Sequence, residues 1–224
     1  MISFIRKYRH GFVILVFSII YMLLFSYLEQ RGVRYYHVVH TALDDRIPFC
    51  EVFIIPYLLW FPYMIAAILY FVFLNDDKKE YYRLTWSLIM GMSLFLVISW
   101  LYPNIQHLRP TVFPRENVFT DMVRALYRTD TPTNILPSIH VFNSLAIHMA
   151  ISSCQRLRKH RFVQAASLVL TILIVMSTMF LKQHSVVDVS MGTALSIAAF
   201  FLFYSEWSVV RDPVANRQKH TYTH

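Results

Sequence analysis

Two stretches of this sequence place an imidazole at the edge of an apolar run. Residues 136–148 read LPSIHVFNSLAIH, with His140 just after Pro137 and Ser138, and residues 182–188 read KQHSVVD, with His184 four positions before Asp188. An ionisable group in apolar surroundings is costly, so its presence there calls for a function. Positions four apart share one helix face, which lets the Asp188 carboxylate accept the Nδ1–H of His184. Such a bond fixes the tautomer, leaves Nε2 as a nucleophile or base, and stabilises positive charge on the ring. At the other histidine, the free N–H groups of a helix start attract an anion, and the Ser138 hydroxyl adds a donor. A histidine one or two residues further in is placed to protonate a leaving oxygen. Arg109, followed by Pro110, adds a planar fork of donors suited to phosphate oxygens. These residue types point to one phosphate-handling site.

Three distant segments must then be brought to one surface. The 224 residues are 56% hydrophobic and 16% aromatic, and the mean hydropathy is +0.44. That is too apolar for an ordinary soluble domain and points to the membrane. The expectation is an all-α fold, a six-span transmembrane helical bundle forming a single integral-membrane domain over residues 1–224. Runs of bilayer length fall near 11–28, 52–74, 84–101, 134–154, 162–181 and 184–204, and 205–224 is a polar tail. The first run is long and no small-x-small cleavage site follows it, so it is read as a retained span. Pro56 and Pro62 are expected to kink the second, and residues 75–83 read as a short charged loop. Residues 102–133 form the longest connection, with a short surface helix expected over 121–128. Asn134 is expected to cap the fourth span with Pro137 in its first turn. His140 then lies roughly 9 Å along its helix.

Six spans put both termini on one side. The larger share of the 21 Lys and Arg falls on that side, so the positive-inside rule places both termini in the cytoplasm. The 102–133 connection and the starts of the fourth and sixth spans then face the other, extracytoplasmic side, which gathers Arg109, His140 and His184 at one rim. The net charge of +8 is accounted for by topology signals and anionic headgroups, and no basic face interleaved with aromatics suggests nucleic acid. Cys50 and Cys154 fall at opposite surfaces, which excludes a disulfide between them, and no cysteine pair has metal-binding spacing.

The same residues resemble the type-2 phosphatidic acid phosphatase superfamily, whose members carry K-x6-R-P, then P-S-x-H, then S-R-x5-H-x3-D on a six-span bundle. Arg109 and Pro110 match the end of the first motif. Pro137, Ser138 and His140 match the second, with Ile139 where glycine is common, and Ser177, His184 and Asp188 match the third. The resemblance implies that His184 attacks phosphorus to form a phosphohistidine, that Asp188 orients it, and that His140 protonates the departing alcohol and then activates water or another acceptor. Arg109, Ser138 and backbone N–H groups would hold the phosphate oxygens, with no metal and no cofactor required. Tyr102 stands where the first motif has lysine and Thr178 where the third has arginine. Lys182 is expected to replace one of these cations, with Arg115 or His107 as further candidates. A reduced clamp of this kind looks more like the inositol-phosphoceramide synthase and sphingomyelin synthase side of the superfamily, where a phosphohead group passes to a lipid or polyol.

The expected activity is therefore a phosphatase or phosphotransferase acting on a phospholipid or polyprenyl phosphate at the extracytoplasmic face of the cell membrane. A transporter with a His/Asp proton relay and a haem protein with His140 and His184 as axial ligands are the competing classes. His148 reads as an internal polar contact, and Asp44, Asp45 and Arg46 read as a solvated loop.

Overall fold

The computed structural model describes residues 7–205. Its elements in chain order are α1 (Gly11–Gln30), β1 (His37–Val38), α2 (Ala42–Arg46), α3 (Ile54–Leu69), α4 (Lys78–Leu101), β2 (Asn104–Ile105), α5 (Val118–Thr129), α6 (Ile139–Ser153), α7 (Arg161–Phe180) and α8 (Val186–Phe203). A 3-10 turn, Glu51–Phe53, leads into α3, and a π-turn, Tyr70–Leu74, extends it. The two short strands pair in parallel, His37 beside Asn104 and Val38 beside Ile105.

Among the described residues, five helical segments are long and apolar enough to cross a membrane: Gly11–Gln30, Glu51–Leu74, Lys78–Leu101, Arg161–Phe180 and Val186–Phe203. This is the composition of an integral membrane protein. The fourth expected span departs from the sixfold count, because α6 has only 15 residues, short of the about 20 that a bilayer asks for. Its missing turns are accounted for by a contact distant in the chain. The Asn104 side-chain oxygen accepts the N–H groups of Ile135 and Leu136, at 2.8 and 3.1 Å. Asn134 sits in the left-handed region at φ 52. Residues 134–138 are thus held out of the helix. The cap is Ser138, whose Oγ accepts from the Val141 N–H, and not Asn134. His140 accordingly lies in the first turn of its helix instead of roughly 9 Å along it.

The short helix is the centre of the bundle. It packs against α3, α4, α7 and α8, and Val141, Phe142, Ala146 and Ile147 are buried. A Cβ at Gly91 in α4 would stand 2.0 Å from the Phe142 ring, so only glycine allows these two helices to approach as they do.

Two other boundaries move. Residues 78–83 belong to α4, which starts at an N-cap where Asp77 accepts the Lys79 N–H at 2.8 Å. Within that first stretch the buried Glu80 carboxylate accepts from Asn75 Nδ2 and the Gln155 N–H. The surface helix is longer than expected, Val118–Thr129, capped by Asn117, and it lays Val123 against Ile54, Tyr57 and Leu181. Pro56 falls in the first turn of α3, and the helix continues through Pro62. Arg6, Arg211, Arg217 and Lys219, together with the tail 206–224, lie outside the described residues.

Candidate active site

The turn between α7 and α8 mounts His184. Lys182 is left-handed at φ 53, and the N–H groups of Gln183 and His184 both end on the Thr178 carbonyl, at 2.9 and 3.0 Å. His184 therefore precedes the N-cap Ser185 and stands outside the helix. The shared helix face that the spacing suggests is not how the pair forms. Instead the ring reaches from the turn to the first helical turn, and His184 Nδ1 lies 2.6 Å from Oδ2 of the fully buried Asp188. With the carboxylate accepting, Nδ1 holds the proton and Nε2 presents its lone pair.

That lone pair meets the second imidazole. His140 Nδ1 is 3.3 Å from His184 Nε2, with the rings edge-on at 62° and 5.4 Å between centroids. Behind His140 stand two rings of α3, Trp60 at 4.3 Å and Tyr57 at 4.8 Å. The start of α6 is tied to α8 directly, since the Ser138 N–H donates to the Asp188 backbone carbonyl at 3.1 Å. One turn further along α8, a Cβ at Gly192 would come within 2.7 Å of the Ser138 carbonyl oxygen. Glycine there is what lets the two histidine-bearing segments touch.

The rings border a cavity of ≈ 40 Å³, also lined by Asp130, Thr131, Thr133, Asn134 and Gln183. It has room for water but not for a lipid headgroup. Asn134 Nδ2 and the Thr131 hydroxyl both donate to the Glu29 carboxylate at the end of α1. Larger grooves of ≈ 340 Å³ lie elsewhere, along α1 and between α3 and α7, with apolar walls and none of these residues.

Arg109 stands one layer back. Its Nη1 donates to the carbonyls of Tyr127 and Asp130, at 3.2 and 2.8 Å, and its Nη2 to Gln183 Oε1 at 2.5 Å. The guanidinium also lies over the Tyr127 ring, 4.6 Å from its centroid. Burial lowers the arginine's pKa from its usual value, and the Asp130 carboxylate opposes that shift. Ser138 is fully buried as the α6 cap; neither it nor Arg109 lines the cavity.

Lys182 requires a correction. Its Nζ donates to the carbonyls of Asp44 and Ile47, at 2.7 and 2.5 Å, so its donors are turned to the α2 segment and it does not line the cavity. Burial lowers its pKa, against the pull of Asp44 and Asp45. It does not replace a motif cation. Nor do Tyr102, whose ring stacks on His37 at 4.0 Å, and Thr178, whose hydroxyl donates to the Val175 carbonyl at 2.7 Å. Arg115 is 3.6 Å from Glu51, and neither it nor His107 borders the cavity.

Asp44 is the second correction. It is buried, not solvated. Its Oδ2 accepts the Ser185 hydroxyl at 2.6 Å and its Oδ1 the Val186 N–H at 2.8 Å, so a carboxylate from a distant segment completes the start of α8 beside His184. A signal for it existed. Thr41 and Asp44 close a capping box around α2, and the T-x-x-D spacing marks a helix start where a plain loop was expected. Trp60, Tyr57, Asn134 and Gln183 carried no such signal. His148 makes the internal contact expected of it, with Nδ1 2.9 Å from Ser167 Oγ. Among the described residues, no group of three His, Cys, Asp or Glu side chains converges to hold a metal.

A buried carboxylate, two imidazoles in line and a guanidinium behind them are thus gathered among the apolar helices of a membrane protein. Residues 104–209 match the model of the PAP2 superfamily. This match supports a phosphatase- or phosphotransferase-type function. Neither the curated proteins nor the solved structures include a match to the chain.

Proposed function

We propose that this protein is an integral-membrane phosphatase that hydrolyses phosphorylated lipids through a phosphohistidine on His184. The observation that carries the reading is the hydrogen-bonded line Asp188–His184–His140, at 2.6 and 3.3 Å. The His184 Nε2 lone pair attacks phosphorus and forms an N–P bond while the P–O bond to the lipid alcohol breaks. His140 delivers a proton to the departing oxygen, and Asp188 stabilises the charge that grows on His184. His140 then takes a proton from water, which attacks the phosphohistidine, breaks the N–P bond and releases inorganic phosphate. Arg109 supplies positive charge from behind the cavity, and the α6 N-terminus, capped by the buried Ser138, contributes its dipole.

This route requires the two rings to part. Reacting atoms approach to about 3–3.5 Å, and the proton donor must reach a leaving oxygen on the far side of phosphorus, about 3 Å further. The 3.3 Å contact is therefore the resting state, which substrate opens by moving His140 away from His184. With the short α6 and the 134–138 segment leading into it counted as the sixth crossing, the substrate site faces the extracytoplasmic side of the cell membrane and both termini lie in the cytoplasm, as the positive-inside count suggests.

A second reading is transfer of the phosphohead group to an alcohol acceptor. It is favoured by the absence of cations at Tyr102 and Thr178 and by the hydroxyls of Thr131 and Thr133 at the cavity. Purified protein incubated with a panel of lipid phosphates, with and without polyols, separates the two readings. Phosphate release alone supports hydrolysis, and a new lipid product supports transfer. Turnover undiminished in His184→Ala would overturn both.

A further inference from the structure

We propose that Gln183 is a phosphate-binding donor of this site, its side-chain N–H groups standing where no motif cation reaches, and that Arg109 acts on the substrate largely through it. The inference rests on the phosphoryl-transfer reading above. Gln183 is only 3% exposed and lines the cavity with His140 and His184. A guanidinium can only donate, so the atom 2.5 Å from Arg109 Nη2 is the amide oxygen. That fixes the amide's orientation and leaves its NH2 group unbonded on a residue that lines the cavity, on the end turned away from Arg109. Among the described residues Nε2 has no hydrogen-bond partner, and a buried donor left unpaired is costly. A phosphate oxygen arriving beside His184 would give it one.

The backbone keeps this donor in place. The Gln183 N–H is held by the Thr178 carbonyl, and the preceding Lys182 carbonyl accepts from Gln106 Nε2 at 3.0 Å. Arg109, bonded to the amide oxygen, polarises the amide and makes its N–H groups better donors. The positive charge thus reaches the phosphate through a neutral amide, one residue before the proposed nucleophile.

The test is Gln183→Glu in the full chain, because a glutamate keeps the acceptor for Arg109 and loses the donor. Gln183→Met, which loses both, is the companion variant. Inorganic phosphate is the binding probe, followed by 31P line broadening, and phosphatidic acid in mixed micelles is the activity probe. Melting temperature monitors folding. The expected result is wild-type phosphate binding that weakens in both variants, with kcat down on the order of 10²-fold and a loss in Gln183→Glu at least as large as in Gln183→Met. Gln183→Glu that folds, binds phosphate and turns over like wild type would show that the amide only anchors Arg109, and would overturn the proposal. So would a wild-type protein that binds no phosphate. Should wild type bind phosphate and the variants not, with no turnover of any lipid phosphate, the catalytic reading fails while the donor role stands.

Discussion

Residues 104–205 and residues 7–101 meet at one cavity with different kinds of side chain. The later segment supplies the groups with a proposed part in bond making: His140, His184, Asp188, Arg109 and Gln183. The earlier one supplies groups that touch these from behind. Asp44 completes the start of α8, Trp60 and Tyr57 back His140, and Glu29 holds Asn134. The family match begins at residue 104, so these supports lie outside it. Reactive groups have to keep fixed spacings along a turn or helix, whereas a support needs only to arrive in space from any element that can reach. The first kind of residue forms a motif and the second does not.

The largest effect should come from the later segment. His184→Ala removes the nucleophile and is expected to abolish turnover of every lipid phosphate that wild type accepts, with folding retained in a thermal melt. Next is His140→Ala, expected to slow turnover by roughly 10²–10⁴-fold. Its defect should shrink for an aryl phosphate whose leaving group needs no proton, and an equal defect on both substrates would deny His140 the role of acid.

The supports should cost less and in a different way. Asp44→Ala leaves the Ser185 hydroxyl and the Val186 N–H without their acceptor. It is expected to lower stability by about 1.5–3 kcal/mol and, by displacing His184, to lower kcat by up to about 10²-fold. Denaturant midpoints and kcat measured together check this, and an Asp44→Ala protein as inactive as His184→Ala would break the division between the two segments. Trp60→Leu should have the smallest effect, roughly tenfold or less on kcat with a shift in the acidic or basic limb of the pH–rate profile, since it changes only what His140 rests against. An unchanged profile would reduce Trp60 to packing.

The same division explains what was legible in the sequence. The apolar helices, the histidines, Asp188 and Arg109 were readable because period and spacing are local. The start of α6 was not, because Asn104, a residue some thirty positions away in chain order, holds 135–136 out of the helix, and no window around Asn134 contains that information. His184 was expected inside a helix, and the left-handed turn at Lys182 puts it just before one. Lys182 was assigned to the phosphate because it is two residues from His184, while the fold gives its ammonium to the carbonyls of Asp44 and Ile47. Gln183 carries no signal in the sequence, and only the contact with Arg109 reveals which end of its amide is unpaired.

The most direct test is to find the covalent intermediate. Purified protein would be mixed with 32P-labelled lipid phosphates, quenched within milliseconds, and digested to locate the label. The account predicts an alkali-stable, acid-labile phosphoryl group on His184 that is lost in His184→Ala and accumulates when the acceptor step is slowed. Lipid turnover by the wild-type protein with no label on any histidine, or with label persisting in His184→Ala, would contradict it.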